Sequence, residues 1–420
     1  MAIKEPTPWR QTPLVESTNL SKAAGCRIFL KLETLQPSGS FKSRGIGNLV
    51  VCALRRAANP SAVHFYSSSG GNAGLACVHA ANFVGRPSTV VVPLTTSLDM
   101  VARIRAAGAS EVIQMGASLK EADTYLREEV MQRARESGVE PVHTPPFDHE
   151  DIWRGHGTLM DEVRAQLAET LGVGTAPDVV ACSVGGGGLF NGILERVRVF
   201  GGAWDDTTTV GVETQGAHSL AHALEARQLA TLPGITSRAT SLGCVRVAAQ
   251  TYALATEGIA AGHVRTAVLT DAEAAMGCWR FADDERALIE LACGVTVALC
   301  YGGRLARVLG RAVRPEEKVV LVVCGGSNVT TEMVEGWRRE FGDIDRETAA
   351  TTPDAICIPS AATAPHNQHL VPDASPRGHH LTDNHSSGNS SSTCSHRTSM
   401  SAGTSTPDST DHLDAMNKPD

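Results

Sequence analysis

Short apolar runs alternate with longer stretches of helical periodicity from about residue 27 to about residue 340. The runs at 27–32, 61–66, 88–92, 111–115, 178–182 and 318–323 have the length and composition of strands. Several are apolar throughout, as strands covered on both faces are. Strand followed by helix, repeated, predicts right-handed crossovers and a mainly parallel sheet, so the expected class is α/β. After about residue 346 the pattern stops. Residues 346–420 are crowded with Ser, Thr, Pro, Asn and His, and are expected to be a disordered tail, since they offer too little apolar surface to offset their ordering entropy.

Composition narrows the function. The chain has 420 residues, enough for two lobes with sizeable cores. A formal net charge of −8 argues against a nucleic-acid or anionic-membrane surface, and no run of 18 apolar residues occurs that would span a bilayer. The N-terminus, Met1-Ala2-Ile3-Lys4-Glu5-Pro6, has neither an apolar signal core nor a transit character. The 11 cysteines show no CxxC spacing and read as reduced, mostly buried side chains, so a cytoplasmic location is expected. About half of the 15 histidines, including His379-His380, lie in the tail without the spacing of a metal site.

Four elements carry chemistry. In Pro37-Ser38-Gly39-Ser40-Phe41-Lys42-Ser43-Arg44-Gly45, a lysine flanked by small residues and a phenyl ring opens a probable helix. Partial desolvation there would lower its pKa and equip it to form an imine; alone, it also reads as a surface lysine. The turn Ser67-Ser68-Ser69-Gly70-Gly71-Asn72-Ala73-Gly74 runs from a strand into a helix. Its exposed N–H groups and the helix N-terminus suit a carboxylate, and Asn72 can donate to a neighbouring phenolic oxygen; a plain tight turn is the bland reading. In Ser183-Val184-Gly185-Gly186-Gly187-Gly188-Leu189-Phe190, four glycines after a strand let several amides converge on a phosphate. The run lacks the Gly-Lys-Ser/Thr ending of a nucleotide P-loop and the spacing of a dinucleotide site. Finally, Cys324-Gly325-Gly326-Ser327-Asn328 ends a strand with a thiol able to face a pyridine nitrogen without forcing its protonation. Together these describe a site for pyridoxal 5′-phosphate.

The run 37–45, the Ser-Gly-Gly-Asn-Ala turn, the tetraglycine loop, Glu213-Thr214-Gln215-Gly216-Ala217-His218-Ser219 and Val323-Cys324-Gly325-Gly326-Ser327-Asn328 closely resemble the L-serine dehydratases of the serine/threonine dehydratase family. These are pyridoxal-phosphate enzymes of the tryptophan-synthase β-subunit fold (fold type II). The resemblance spans about residues 10 to 340, with the motifs in order. It implies two α/β lobes, each with a mainly parallel sheet flanked by helices: residues 1–37 and 149–343 as a large cofactor-binding domain, and 38–148 as a small inserted substrate domain. It implies Lys42 as the imine-forming base and Phe41 packed beside the cofactor. Asn72 would bond the ring hydroxyl, and Ser69, Gly70 and Asn72 would line the substrate-carboxylate nest. Gly185, Gly186, Gly187 and Gly188 would hold the phosphate, with Cys324 at the ring nitrogen. It further implies a monovalent cation, usually potassium, on the Glu213 side chain and the main-chain oxygens of Gly185, Ala217, Leu242 and Cys244. For Glu213 the alternative is a carboxylate capping the following helix.

The implied activity is β-elimination from L-serine to pyruvate and ammonia, with L-threonine to 2-oxobutanoate beside it, in a homodimer. Related racemases carry Ser at the position of Gly70; glycine has no proton to give, so racemisation is expected to be weak. Alternatives are a threonine-preferring dehydratase, a β-replacement enzyme like cysteine synthase, and a non-catalytic regulatory relative. Arg154 departs from the acidic or neutral residue of relatives and reads either as solvated near a helix start or as altering the charge of the cleft, and so substrate preference. His156 is read as a helix-start polar residue rather than a base.

Overall fold

The computed structural model describes residues 6–344, which belong to one compact unit; the expected disordered tail lies outside them. Ten strands form two sheets. In chain order they are β1 (Leu14–Glu16), β2 (Arg27–Leu32), β3 (Val63–Ser67), β4 (Ser88–Val92), β5 (Glu111–Gln114), β6 (Glu140–His143), β7 (Val179–Ser183), β8 (Thr208–Thr214), β9 (Val264–Leu269) and β10 (Lys318–Val323). A six-stranded sheet has the order β1-β2-β10-β7-β8-β9, and a four-stranded sheet the order β5-β4-β3-β6. Only the β1–β2 pair is antiparallel. Helices lie between successive parallel strands, as such crossovers require.

Burial follows the apolar runs. Every residue of β4 and β7 is buried, as is all of β10 after Lys318. One core fills the space around the six-stranded sheet, with Phe190, Val210, Phe281 and Leu321 among its members. A second joins the four-stranded sheet to two helices, Lys42–Arg56 and Asn72–Phe83, through Ile46, Leu49, Phe65, Ala76 and Ala80. All nine described cysteines are free, and all but Cys52 and Cys244 are buried. No helix among the described residues is long and apolar enough to cross a membrane.

Strand order brings distant residues together. β2 and β10, from opposite ends of the described chain, pair in parallel from Arg27–Lys318 to Leu32–Val323. The segment after β2 therefore runs beside the segment after β10, where the Phe41 N–H donates to the Cys324 carbonyl at 3.0 Å. β7 pairs with β10 on its other side, so the tetraglycine loop opens at the same sheet edge. This is the carboxyl edge of an open α/β sheet, where such folds bind ligands.

A buried ion network anchors this edge. Arg44, on the first turn of the Lys42–Arg56 helix, bonds both Glu33 carboxylate oxygens at 2.7 and 2.8 Å, and bonds Glu162 of the Glu150–Leu171 helix at 2.7 Å. Lys31 of β2 completes it, donating to Glu162 at 2.7 Å, and Thr12 donates to Glu33 at 2.6 Å. Arg44, Lys31 and Glu33 are fully buried. Removing one member strands a charge in the interior. Arg44→Met is therefore expected to lower unfolding free energy by about 3–5 kcal/mol in urea titrations; a loss of less than about 1 kcal/mol would show that the network is a bystander.

Candidate active site

Lys42 begins its helix directly after Phe41, the residue tied to the end of β10. Its amine donates to the Pro146 carbonyl and lies 5.1 Å from the centre of the Phe41 ring. Desolvation dominates this setting and lowers the Lys42 pKa from 10.5 to about 8. A carbonyl partner, unlike a carboxylate, does not hold the proton on.

The tetraglycine loop leaves little room for side chains. Gly187 has φ +94°, and a Cβ there would lie 2.0 Å from Thr251 Oγ1. A Cβ on Gly186 would lie 2.2 Å from the Phe147 ring. The Gly186 carbonyl accepts from the Ala248 N–H at 3.1 Å, which turns it out of the cradle. Among the described residues no protein acceptor takes the N–H groups of Gly185, Gly186, Gly187 or Gly188, and Gly188 opens a helix of 13 residues. Free amides at a helix N-terminus form an anion seat.

The other glycine turn is built alike. A Cβ on Gly74 would lie 2.0 Å from the Ser69 carbonyl oxygen, so only glycine lets the Asn72–Phe83 helix close onto the loop. Ser68 donates to Asp123 at 2.8 Å, and Ser69 Oγ accepts from the Gly71 N–H at 3.3 Å. Gly70 faces Thr96, whose Oγ1 and Cγ2 would each stand 2.8 Å from an added Cβ.

Cys324 is buried at the end of β10, with its sulfur 3.7 Å from Ser183 Oγ. A hydrogen bond with the Cys293 thiol, with burial adding to it, raises its pKa well above the ordinary range and keeps it a neutral thiol.

Of the implied cation ligands, Glu213 is fully buried at the end of β8 and accepts the Leu220 and Ala221 N–H groups at 2.8 Å each. It therefore does cap the Ser219–Glu225 helix. Burial nonetheless raises its pKa to about 8, against the pull of those two amides. Gly185 lies against Leu242, the carbonyl of which accepts from the Cys244 N–H at 2.6 Å, and Ala217 turns back on Thr214. No group of three or more His, Cys, Asp or Glu suited to a metal occurs among the described residues.

Two residues differ from, or were absent from, the sequence reading. His156 is no helix-start cap: His149 fills that position, and His156 is fully buried, packed 4.9 Å from the Phe41 ring with both nitrogens unpartnered. Arg154 is solvated and pairs with Glu150 at 2.6 Å. Glu290, unmentioned above, is buried and bonds Asn72 at 3.0 Å. Its only signal in the sequence is being the single charged residue between 287 and 299.

The chain matches, over residues 6–325, the model of the family described as "Pyridoxal-phosphate dependent enzyme". It belongs to that family. The residues present suit the family's cofactor: a glycine loop that a Cβ would obstruct offers free amides for a phosphate, and a low-pKa lysine stands near a neutral thiol. The human protein named serine dehydratase-like is 39% identical over 335 residues, covering 79% of this chain and 95% of that protein. The Saccharomyces cerevisiae catabolic L-serine/threonine dehydratase is 39% identical over 331 residues, covering 78% and 90%. Among solved structures, a fungal L-serine ammonia-lyase from Rhizomucor miehei superposes with a TM-score of 0.70 at 30% identity, over 80% of this chain and all of that one. The family's tryptophan-synthase β-type architecture agrees with the two mainly parallel sheets.

In cofactor-free protein, reductive methylation of Lys42 followed by peptide mass mapping is expected to titrate with a midpoint near pH 8. Reactivity should rise about tenfold per pH unit below that point and level off above it. A midpoint near the ordinary 10.5 would remove the desolvation argument.

Proposed function

We propose that this chain dehydrates and deaminates L-serine to pyruvate and ammonia, and takes L-threonine to 2-oxobutanoate at the same site. The observation that carries this reading is the juxtaposition of a desolvated Lys42, a neutral Cys324 thiol and a glycine loop of free amides at one sheet edge. Relatives named for serine and threonine dehydration support it.

Pyridoxal phosphate, when bound, supplies an aldehyde for amines and a ring that withdraws electrons from the substrate's α-carbon. The chain's own residues do the rest. Gly185, Gly186, Gly187 and Gly188 would hold the phosphate through main-chain N–H groups, and Phe41 would flank the ring. Asn72 would donate to the ring oxygen, and the neutral Cys324 thiol would serve the ring nitrogen without compelling a positive charge there. Ser69, Gly70 and Asn72 seat the substrate carboxylate. Lys42 Nζ would hold the cofactor's aldehyde carbon and would serve as the base for the substrate's α-proton; a pKa of about 8 leaves it partly neutral near physiological pH. Hydroxide departs from the β-carbon with a proton, as water. One water then enters at the α-carbon as ammonia leaves, which balances the reaction.

The same reading places the substrate-binding lobe at residues 38–148 and the cofactor-binding lobe at 1–37 and 149–343. It also places a potassium ion on Glu213 and the carbonyls of Gly185, Ala217, Leu242 and Cys244. A cation there would offset the buried carboxylate whose pKa burial has raised. A cytoplasmic homodimer completes the proposal.

The direct test is pyruvate formation from L-serine by the purified protein. Lys42→Ala is expected to lower kcat by at least about a thousandfold, with no borohydride-reducible adduct at position 42; retained turnover would overturn the proposal. D-serine should stay a trace product, because Gly70 carries no acid or base. Gly70→Ser is expected to raise it only when Thr96 yields, so Gly70→Ser with Thr96→Ala should racemise faster than Gly70→Ser alone. Chiral chromatography reads this, and equal D-serine from all three proteins would refute the Gly70 argument.

A further inference from the structure

Glu290 stands at the N-cap position of the Leu291–Val297 helix, yet its side chain makes no capping bond. It turns instead across the seam between the two sheets. One carboxylate oxygen accepts from Asn72 Nδ2 at 3.0 Å, and the other accepts from the Asn328 N–H at 3.3 Å. The Ser241 hydroxyl donates to the same carboxylate. Room for it exists only because residue 326 is glycine: a Cβ there would lie 2.0 Å from the Glu290 carboxyl carbon, and its φ of +128° also demands glycine.

On its other side the Asn72 amide oxygen accepts from both the N–H and the hydroxyl of Ser327, at 3.0 and 2.9 Å. These partners leave one orientation. Turned over, the amide would set its oxygen against a carboxylate and its NH2 against an N–H donor. One Nδ2 hydrogen is taken by Glu290, and the second finds only Ser241 Oγ, at 3.4 Å.

We infer that Glu290 is a positioning residue, which locks the Asn72 amide across the seam and leaves one of its N–H bonds for the cofactor's ring oxygen. The inference rests on the reading of Asn72 given above and extends it to Glu290, whose carboxylate also acts on Lys42 through charge. A carboxylate acceptor also polarises the amide, making the remaining N–H a stronger donor. Because Asn72 sits beside the four-stranded sheet while Glu290 and Ser327 sit beside the six-stranded one, the donor is aimed only when the two sides are together.

The test is a double-mutant cycle on the full-length protein, read by the visible absorption of bound cofactor and by cofactor affinity from fluorescence titration. Glu290→Ala and Asn72→Ala are each expected to shift the band and to weaken affinity about tenfold or more, the worth of a hydrogen bond to a charged group. The double variant should be no worse than Asn72→Ala alone. Glu290→Gln, which keeps an acceptor toward Asn72, should recover most of the affinity. Should Glu290→Ala fail to fold by far-UV circular dichroism, Glu290→Gln and Ser327→Ala take its place in the cycle with smaller shifts of the same kind. Strictly additive losses, or a shift with Asn72→Ala and none with the Glu290 variants, would overturn the inference and leave the role of Asn72 standing. An unchanged band in Asn72→Ala would instead overturn the ring-oxygen reading itself, and this inference with it.

Discussion

The parallel pairing of β2 with β10 is the constraint on which the site depends. These strands are separated by almost the whole of the described chain, and their register lays Phe41 against Cys324. Lys42, the thiol and, through β7, the tetraglycine loop then meet without any further device. A long-range pairing of this kind costs loop-closure entropy, which β7 and the buried part of β10 after Lys318 offset through apolar burial.

Two cations only two residues apart illustrate how placement divides roles. Arg44 is enclosed by Glu33 and Glu162 and serves as an anchor. Lys42 meets a carbonyl and a phenyl ring, so burial acts on it with little compensation, and its proton becomes labile. The helix is fixed by the first residue so that the second can stay chemically available. The charge network thus fixes the helix that carries Lys42.

What could be read from the chain in advance was whatever depends on local physics. The mainly apolar runs of β2, β4 and β10 were legible to the residue, and the glycine loops announced their conformation because Gly70, Gly74, Gly186 and Gly187 each answer a steric demand nearby. β8 and β9 were not, since Gly211 and several Thr and Arg residues interrupt their apolar pattern. β1 has three residues, and β6 carries Pro141, which weakens its signal. The Glu290–Asn72 contact spans 218 positions, and no local rule reaches that far. His156 was misread because helix-start polar residues usually cap, whereas here Gly45 of one helix lies against its ring and Gly192 of another against its Cβ.

Both glycine turns present main-chain amides at helix starts, groups that neither gain nor lose protons across the biological range. Anions seated there would be recognised by shape and dipole alone, so acidity can modulate such recognition only from the guest's side or through neighbouring ionisable chains. Sensitivity to acidity then rests with Lys42 and the buried Glu213 rather than with the two glycine turns.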